Sequence, residues 1–338
     1  MFNIKIPSEI QFAINVIFEQ SDQLKPNHKD FDFNYLLAWL KKNDLILSFV
    51  AKSEDRFSFP KHFSNSLREE FMNRQNTLFI FQSGIFEIES FFKKIGVAFI
   101  PMKGIDFSKR YYPDPYQRFH MDVDIMVQKS DIEFVLEKIR KNPSFKVVSE
   151  YSAFDANKQH VQIKMVDFKN FLLEIHYRYI PLNYNCDFES NIKNGSIEKM
   201  EKGYSFTHNM NLLLVTASFF TSIDTPFRSF LDAYMILKKE KIDWKAATAL
   251  AINLGIAKRL TLFLHMLSIL VPSLDFPPEL VSKSPSFFTR IRSEILLGYC
   301  FSQRRYSSIQ RLFFRAFMFE TFFSFLRYLS RRLAFRMR

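Results

Sequence analysis

The chain has 338 residues with a formal net charge of +12 at pH 7, long enough for two or three packed units around a real core. Its 2 cysteines, Cys186 and Cys300, are far apart, which excludes a disulfide framework and a cysteine metal cluster and fits a reducing compartment. No charged leader followed by an apolar stretch opens the chain and no run of about 18 apolar residues occurs, so the expectation is a cytoplasmic protein without a membrane span.

The 42 phenylalanines against 7 glycines predict a helix-rich chain with aromatic cores. Residues 8 to about 95 carry helix-like patterns, including Tyr35-Leu36-Leu37-Ala38-Trp39-Leu40 and a long stretch from Ser66 to Lys94. Gly96 breaks that pattern. Val97-Ala98-Phe99-Ile100-Pro101-Met102-Lys103-Gly104 then reads as a short strand closed by a glycine. The helix near 104–112 ends at Pro113-Asp114-Pro115. A strand that passes through glycine into a helix N-terminus offers free N–H groups to a phosphate, although Gly104 equally fits a simple turn. Lys103 adds a candidate point charge and Arg118 a candidate planar fork for phosphate oxygens. A solvated lysine before a turn is the plainer reading of Lys103.

Met121-Asp122-Val123-Asp124-Ile125-Met126-Val127 has the apolar, partly β-branched flanks of a buried strand. Alternation puts Asp122 and Asp124 on one face. Two neighbouring carboxylates repel unless a cation joins them or one takes up a proton. Mg²⁺ or Mn²⁺ is the natural cation, since such sites combine carboxylates with substrate phosphates. A helix near 130–141 follows, then strands near 145–151, 160–166 and 170–178 that complete a small mixed sheet. On the last of these Glu174 and His176 share a face. Glu174 is a candidate third ligand; His176 either orients a carboxylate or is a satisfied half-buried histidine.

From about 208 to 270 the pattern returns to helices, with Gly255 a boundary. Arg228 and Asp232 are four apart and can pair on one helix face. A structural salt bridge is the plainer reading; a nucleotide contact by Arg228 is the sharper one. Residues 300–338 hold nine arginines, no lysine and one acid, Glu320, among many phenylalanines. Such a tail suits an anionic membrane surface, RNA, or packing on the protein body.

Taken in order, Lys103-Gly104, Tyr112-Pro113-Asp114-Pro115, Arg118, Asp122-x-Asp124 and Glu174-Ile175-His176 resemble an uncharacterised bacterial nucleotidyltransferase-like family of the DNA polymerase β superfamily. Asn211-Leu212-Leu213-Leu214, Arg228 to Asp232, Asp243-Trp244 and Leu254-Gly255 extend the resemblance, which covers roughly residues 75 to 275. It implies that Asp122, Asp124 and Glu174 hold divalent metals and that Arg228 faces the active-site cleft. The superfamily's usual Gly-Ser pair is here Lys103-Gly104, with no hydroxyl beside the glycine.

The expected fold is α+β: a small mixed-sheet core at 96–200 between helical regions at 1–95 and 201–299, then a basic tail at 300–338. The leading expectation is metal-dependent transfer of a nucleoside monophosphate from a nucleoside triphosphate to an acceptor hydroxyl. The alternatives are modification of an RNA end and a non-catalytic protein of the same fold docked on a membrane or partner.

Overall fold

A computed structural model of the chain describes residues 6–20, 31–149, 160–166, 171–179, 184–185, 187–201, 203–221, 226–281 and 286–301. Cys186 and the tail from 302 to 338, with its expected RNA or membrane contacts, lie outside the described residues.

Among the described residues, four helices come first: α1 Ser8–Ile17, α2 Phe33–Lys42, α3 Ile46–Ser53 and the long α4 Lys61–Ile95. Asp32 caps α2 by accepting from the Tyr35 N–H, and Gly96, at φ 70°, takes the left-handed conformation that stops α4. The mixed unit runs β1 Phe99–Pro101, α5 Lys103–Tyr111, β2 Asp122–Val127, α6 Ile132–Arg140, β3 Phe145–Val147, β4 His160–Met165 and β5 Leu172–His176. Two short strand pairs, β6 Arg178–Tyr179 with β7 Tyr184–Asn185 and β8 Ile197–Met200 with β9 Gly203–Phe206, flank α7 Phe188–Lys193. Then come α8 His208–Thr221, α9 Pro226–Lys239, α10 Trp244–Asn253, α11 Ala257–Leu270 and α12 Phe287–Phe301. No helix among the described residues is long and apolar enough to cross a membrane.

The sheet order is β1-β2-β5-β4-β3, with β2 and β5 parallel and the other neighbours antiparallel. This is the expected mixed sheet in an α+β fold. Period-two alternation splits it into two unlike faces. Val123, Ile125, Leu173, Ile175, Val161 and Ile163 point to one side, where α4 and α6 cover them. Asp122, Asp124, Glu174, His176, His160 and Gln162 stand on the other face, in register across β2, β5 and β4.

The helices before and after the mixed unit share one core. Trp39 of α2 donates its Nε1–H to the Cys300 carbonyl of α12 (3.1 Å), and Tyr234 of α9 donates to the Phe18 carbonyl (3.1 Å). Sequence segments some 200 residues apart thus form a single helical body against which the polar sheet face rests. Asp243, part of the sequence resemblance, caps α10 through the Ala246 N–H, and Gly255, at φ 69°, separates α10 from α11.

Candidate active site

The cleft between the polar sheet face and α9 is lined by Lys103, Gly104, Arg118, Asp122, Asp124 and Arg228, among others. Six of the seven sequence candidates therefore meet in one place. Asp122 opens to the cleft, while Asp124 is 4 % exposed. Glu174 is the register partner of Asp124 on the parallel neighbour, but its carboxylate is engaged away from the cleft wall. Its Oε1 accepts from Gln162 Nε2 at 2.9 Å.

The two aspartates differ in electrostatic surroundings. Burial would raise Asp124, yet the Lys103 ammonium, 3.6 Å from Oδ2, and a hydrogen bond from His176 hold its carboxyl well below the usual range. His176 Nε2–H donates to Asp124 Oδ1 at 2.7 Å, so this histidine does orient a carboxylate. That pairing, with Glu174 adding to it, raises His176 against the lowering effect of burial. Asp122 is pushed up, first by the protein around it and then by the charge of Asp124. Lys103 offsets one carboxylate and leaves an oxygen donor set short of a cation.

Lys103, and not Gly104, makes the turn from β1 into α5. Its φ is 42°, one of three non-glycine residues in the left-handed region among those described. A lysine there costs roughly 1–3 kcal/mol, and such strain tends to collect at functional sites. The ammonium sits 5.2 Å from the Tyr179 ring centroid as well as near Asp124, which fixes the long side chain over the sheet face. The Met102 N–H donates to the Asp124 carbonyl at 2.9 Å and ties the start of α5 to β2. Gly104 is a glycine for a different reason from a turn. A Cβ there would lie 3.0 Å from His120 Cβ and 3.3 Å from Arg118 Nη1, so its absence admits those side chains to the cleft.

Two expectations are corrected. Arg118 does not hold its fork open for phosphate: Nε and Nη2 are committed to Asp232 at 2.7 and 2.8 Å. Only Nη1 remains, buried at the cleft wall without a hydrogen-bond partner among the described residues. Nor does Arg228 pair with Asp232, because Asp232 is taken by Arg118 and by the Tyr112 hydroxyl (2.8 Å). Arg228 Nη1 instead reaches Asp44 Oδ2 at 3.2 Å and the Phe119 carbonyl at 3.3 Å. The reason is reach: helical i,i+4 spacing permits a pair, but the shorter, planar route to Asp232 comes from the loop before β2.

A match to an uncharacterised nucleotidyltransferase family spans residues 29–272. The chain belongs to that family. A search among curated proteins gives no match. For this nucleotidyltransferase, several of the residues that carried the resemblance interlock the mixed unit with the helical body. Tyr112 and Arg118 grip Asp232, and Asn211 Nδ2 donates to Asp106 and to the Tyr111 hydroxyl, both at 2.8 Å. Asp114 caps the short turn at Tyr116.

Sequence reasoning passed over several residues of the cleft, with His120, Ser218 and Ser229 the polar ones among them. Burial, then the neighbouring Arg118, lower His120 to about 4, so it is a neutral imidazole whose Nε2 has no hydrogen-bond partner among the described residues. Ser229 stands three residues before Asp232, a helical spacing that could have marked it. Nothing in the sequence distinguished His120 from a bulky neighbour of Asp122.

Proposed function

We propose that this nucleotidyltransferase moves a nucleoside monophosphate from a nucleoside triphosphate to an acceptor hydroxyl. The acceptor oxygen bonds to the α-phosphorus, the α–β anhydride bond breaks, and pyrophosphate leaves. The observation that carries this reading is the meeting of Asp122 and Asp124 with the start of α5, Lys103 and the unpartnered Arg118 Nη1 in one cleft.

The oxygen donors of Asp122 and Asp124 suit Mg²⁺ or Mn²⁺, with Glu174 the candidate third ligand. Bound there, the ion supplies neutralisation of phosphate charge and a lowered pKa for the acceptor hydroxyl. The chain's own residues do the rest. Arg118 Nη1, Arg228 and the free N–H groups at the start of α5 hold the triphosphate oxygens. Lys103 keeps Asp124 ionised and adds positive charge beside the leaving pyrophosphate. His176 fixes the Asp124 carboxylate in one orientation, so that in-line geometry is set before substrate arrives.

The test is Mn²⁺-dependent binding of the four nucleoside triphosphates to the wild type and to the Asp122→Asn, Asp124→Asn double variant. Metal-dependent binding lost in the double variant supports the reading and names the base. Absence of binding to a folded wild type overturns it. An RNA acceptor is the second reading, motivated by the nine arginines from 300 to 338. It requires RNA binding that weakens steeply with salt and with removal of that segment.

A further inference from the structure

We propose that His160, Glu174 and His176 form a site for a single transition-metal ion of the Zn²⁺ class, separate from the Asp122 and Asp124 pair. The site stands independently of the nucleotidyl-transfer reading; only its inhibitory consequence rests on that reading. One ligand atom from each of the three residues lies within 4.8 Å of the other two. Glu174 Oε1 is 3.7 Å from His160 Nε2, and Glu174 Oε2 is 3.6 Å from His176 Nε2.

The sheet dictates this cluster. His160 and His176 are directly opposed across the antiparallel β4–β5 pair, and Glu174 is two residues from His176 on the same face. Metal–ligand bonds of about 2.0–2.1 Å separate neighbouring ligand atoms of a tetrahedral ion by roughly 3.3–3.4 Å. The observed spacings are only a few tenths of an ångström wider, within the reach of side-chain rotation.

The donor types decide the metal. Two imidazoles and one carboxylate favour Zn²⁺, Co²⁺ or Ni²⁺ over Mg²⁺, which demands oxygen. The ligand atoms at these spacings are the two Nε2 nitrogens, and each ring keeps Nδ1, buried without a hydrogen-bond partner among the described residues, to carry its proton. Gln162 donates to Glu174, the kind of outer contact that orients a metal-binding side chain, whereas His176 Nε2 gives up its hydrogen bond to Asp124 when it takes the ion. His160 is partly exposed, which gives an ion a route in.

Glu174 is therefore the hinge between two sites. An ion held with the histidines draws its carboxylate from the aspartate pair, so Zn²⁺ and Mg²⁺ compete for one side chain. The consequence is inhibition of the Mg²⁺-dependent reaction by Zn²⁺.

The test is titration of metal-free protein with Co²⁺, read by the visible d–d absorption of the bound ion, with Zn²⁺ as competitor. One Co²⁺ per chain with nitrogen-ligand absorption is expected, displaced by Zn²⁺. In His160→Gln, at the partly exposed end of β4, binding weakens by at least about 100-fold, beyond the roughly 10–100-fold that loss of an outer hydrogen-bond partner costs. Asp122→Asn, whose carboxylate lies outside the cluster, keeps the Co²⁺ signal. Thermal unfolding of each variant establishes that it is folded, and His176→Gln serves as the second ligand variant. No d–d absorption from a folded wild type overturns the proposal. So does a signal retained in both histidine variants, or one lost in Asp122→Asn alone, which puts the ion on the aspartates. Triphosphate binding, measured separately, scores the nucleotidyl-transfer reading.

Discussion

Arg118 and Asp232 form a bidentate ion pair, Nε to Oδ1 at 2.7 Å and Nη2 to Oδ2 at 2.8 Å, with both residues about 95 % buried. The pair joins the loop before β2 to α9 of the helical body, and the Tyr112 hydroxyl adds a third bond to the same carboxylate. It thereby sets the distance between the carboxylate strand and the opposite wall of the cleft. Burial would lower Arg118, and Asp232 more than restores it, so the guanidinium stays charged.

Removing one partner leaves the other charge buried and unpaired, which costs about 3–5 kcal/mol. Asp232→Ala is therefore expected to lose that much stability in urea unfolding. A loss below about 1 kcal/mol would mean that Arg118 finds another partner.

Arg228 behaves differently because its side chain is 28 % exposed and its Asp44 contact is shared with Arg74. Arg228→Ala is expected to change stability by no more than about 1 kcal/mol, in keeping with a partly solvated pair. One charge-assisted bond to a phosphate is worth about 1.5–3 kcal/mol, so triphosphate affinity should fall roughly 10–100-fold. Calorimetry of unfolding and of binding on the same variant separates the two effects.

Asp122→Asn removes a carboxylate that the protein around it and Asp124 both disfavour. The variant should unfold at the same temperature as wild type or higher, while turnover falls by at least about 100-fold. Turnover retained at the wild-type rate in a folded variant would remove Asp122 from the reaction.

Gly104→Ala sets two effects against each other. Alanine gains about 1 kcal/mol of helix propensity, but its Cβ would stand 3.0 and 3.1 Å from His120 Cβ and Cγ. Overpacking of an anchored side chain costs about 1–3 kcal/mol and wins. The expected result is a lower melting temperature together with weaker triphosphate binding, because Arg118 Nη1 must shift as well.

Asp106, buried beside Asn211 and Arg110, is raised to about 6 from an ordinary 3.8, chiefly by burial. The folded state therefore keeps the proton over a pH range in which the unfolded chain has lost it. Its contribution to stability is fully present below pH 3.8 and is lost as pH rises through about 6. At roughly 1.36 kcal/mol per unit the difference is on the order of 3 kcal/mol. Asp106→Asn should be more stable than wild type at pH 7, with the advantage shrinking below pH 6 and gone near 3.8. Urea midpoints at pH 4, 5, 6 and 7 check this.

Local physics wrote several features directly into the sequence. The alternation of Asp122-Val123-Asp124-Ile125 dictates two carboxylates on one face of a strand, because side chains in extended chain point to opposite sides by turns. Gly96 and Gly255 mark helix ends because a left-handed residue is needed there and glycine adopts it without a Cβ penalty. Family membership was legible for the same reason, since its signature runs through short segments in fixed order.

Pairing between distant segments was not legible. That Arg118 takes Asp232 and leaves Arg228 to Asp44 depends on how a loop, α9 and the turn after α2 meet in space. That Glu174 faces Gln162 and two histidines depends on β4 lying beside β5, a register no local pattern encodes. The sequence alone determined which residues carry charge and which face of each element they share. Only the tertiary structure decided which charge meets which, because ion pairs form by proximity after the apolar faces have packed, and packing brings together residues that the chain holds far apart.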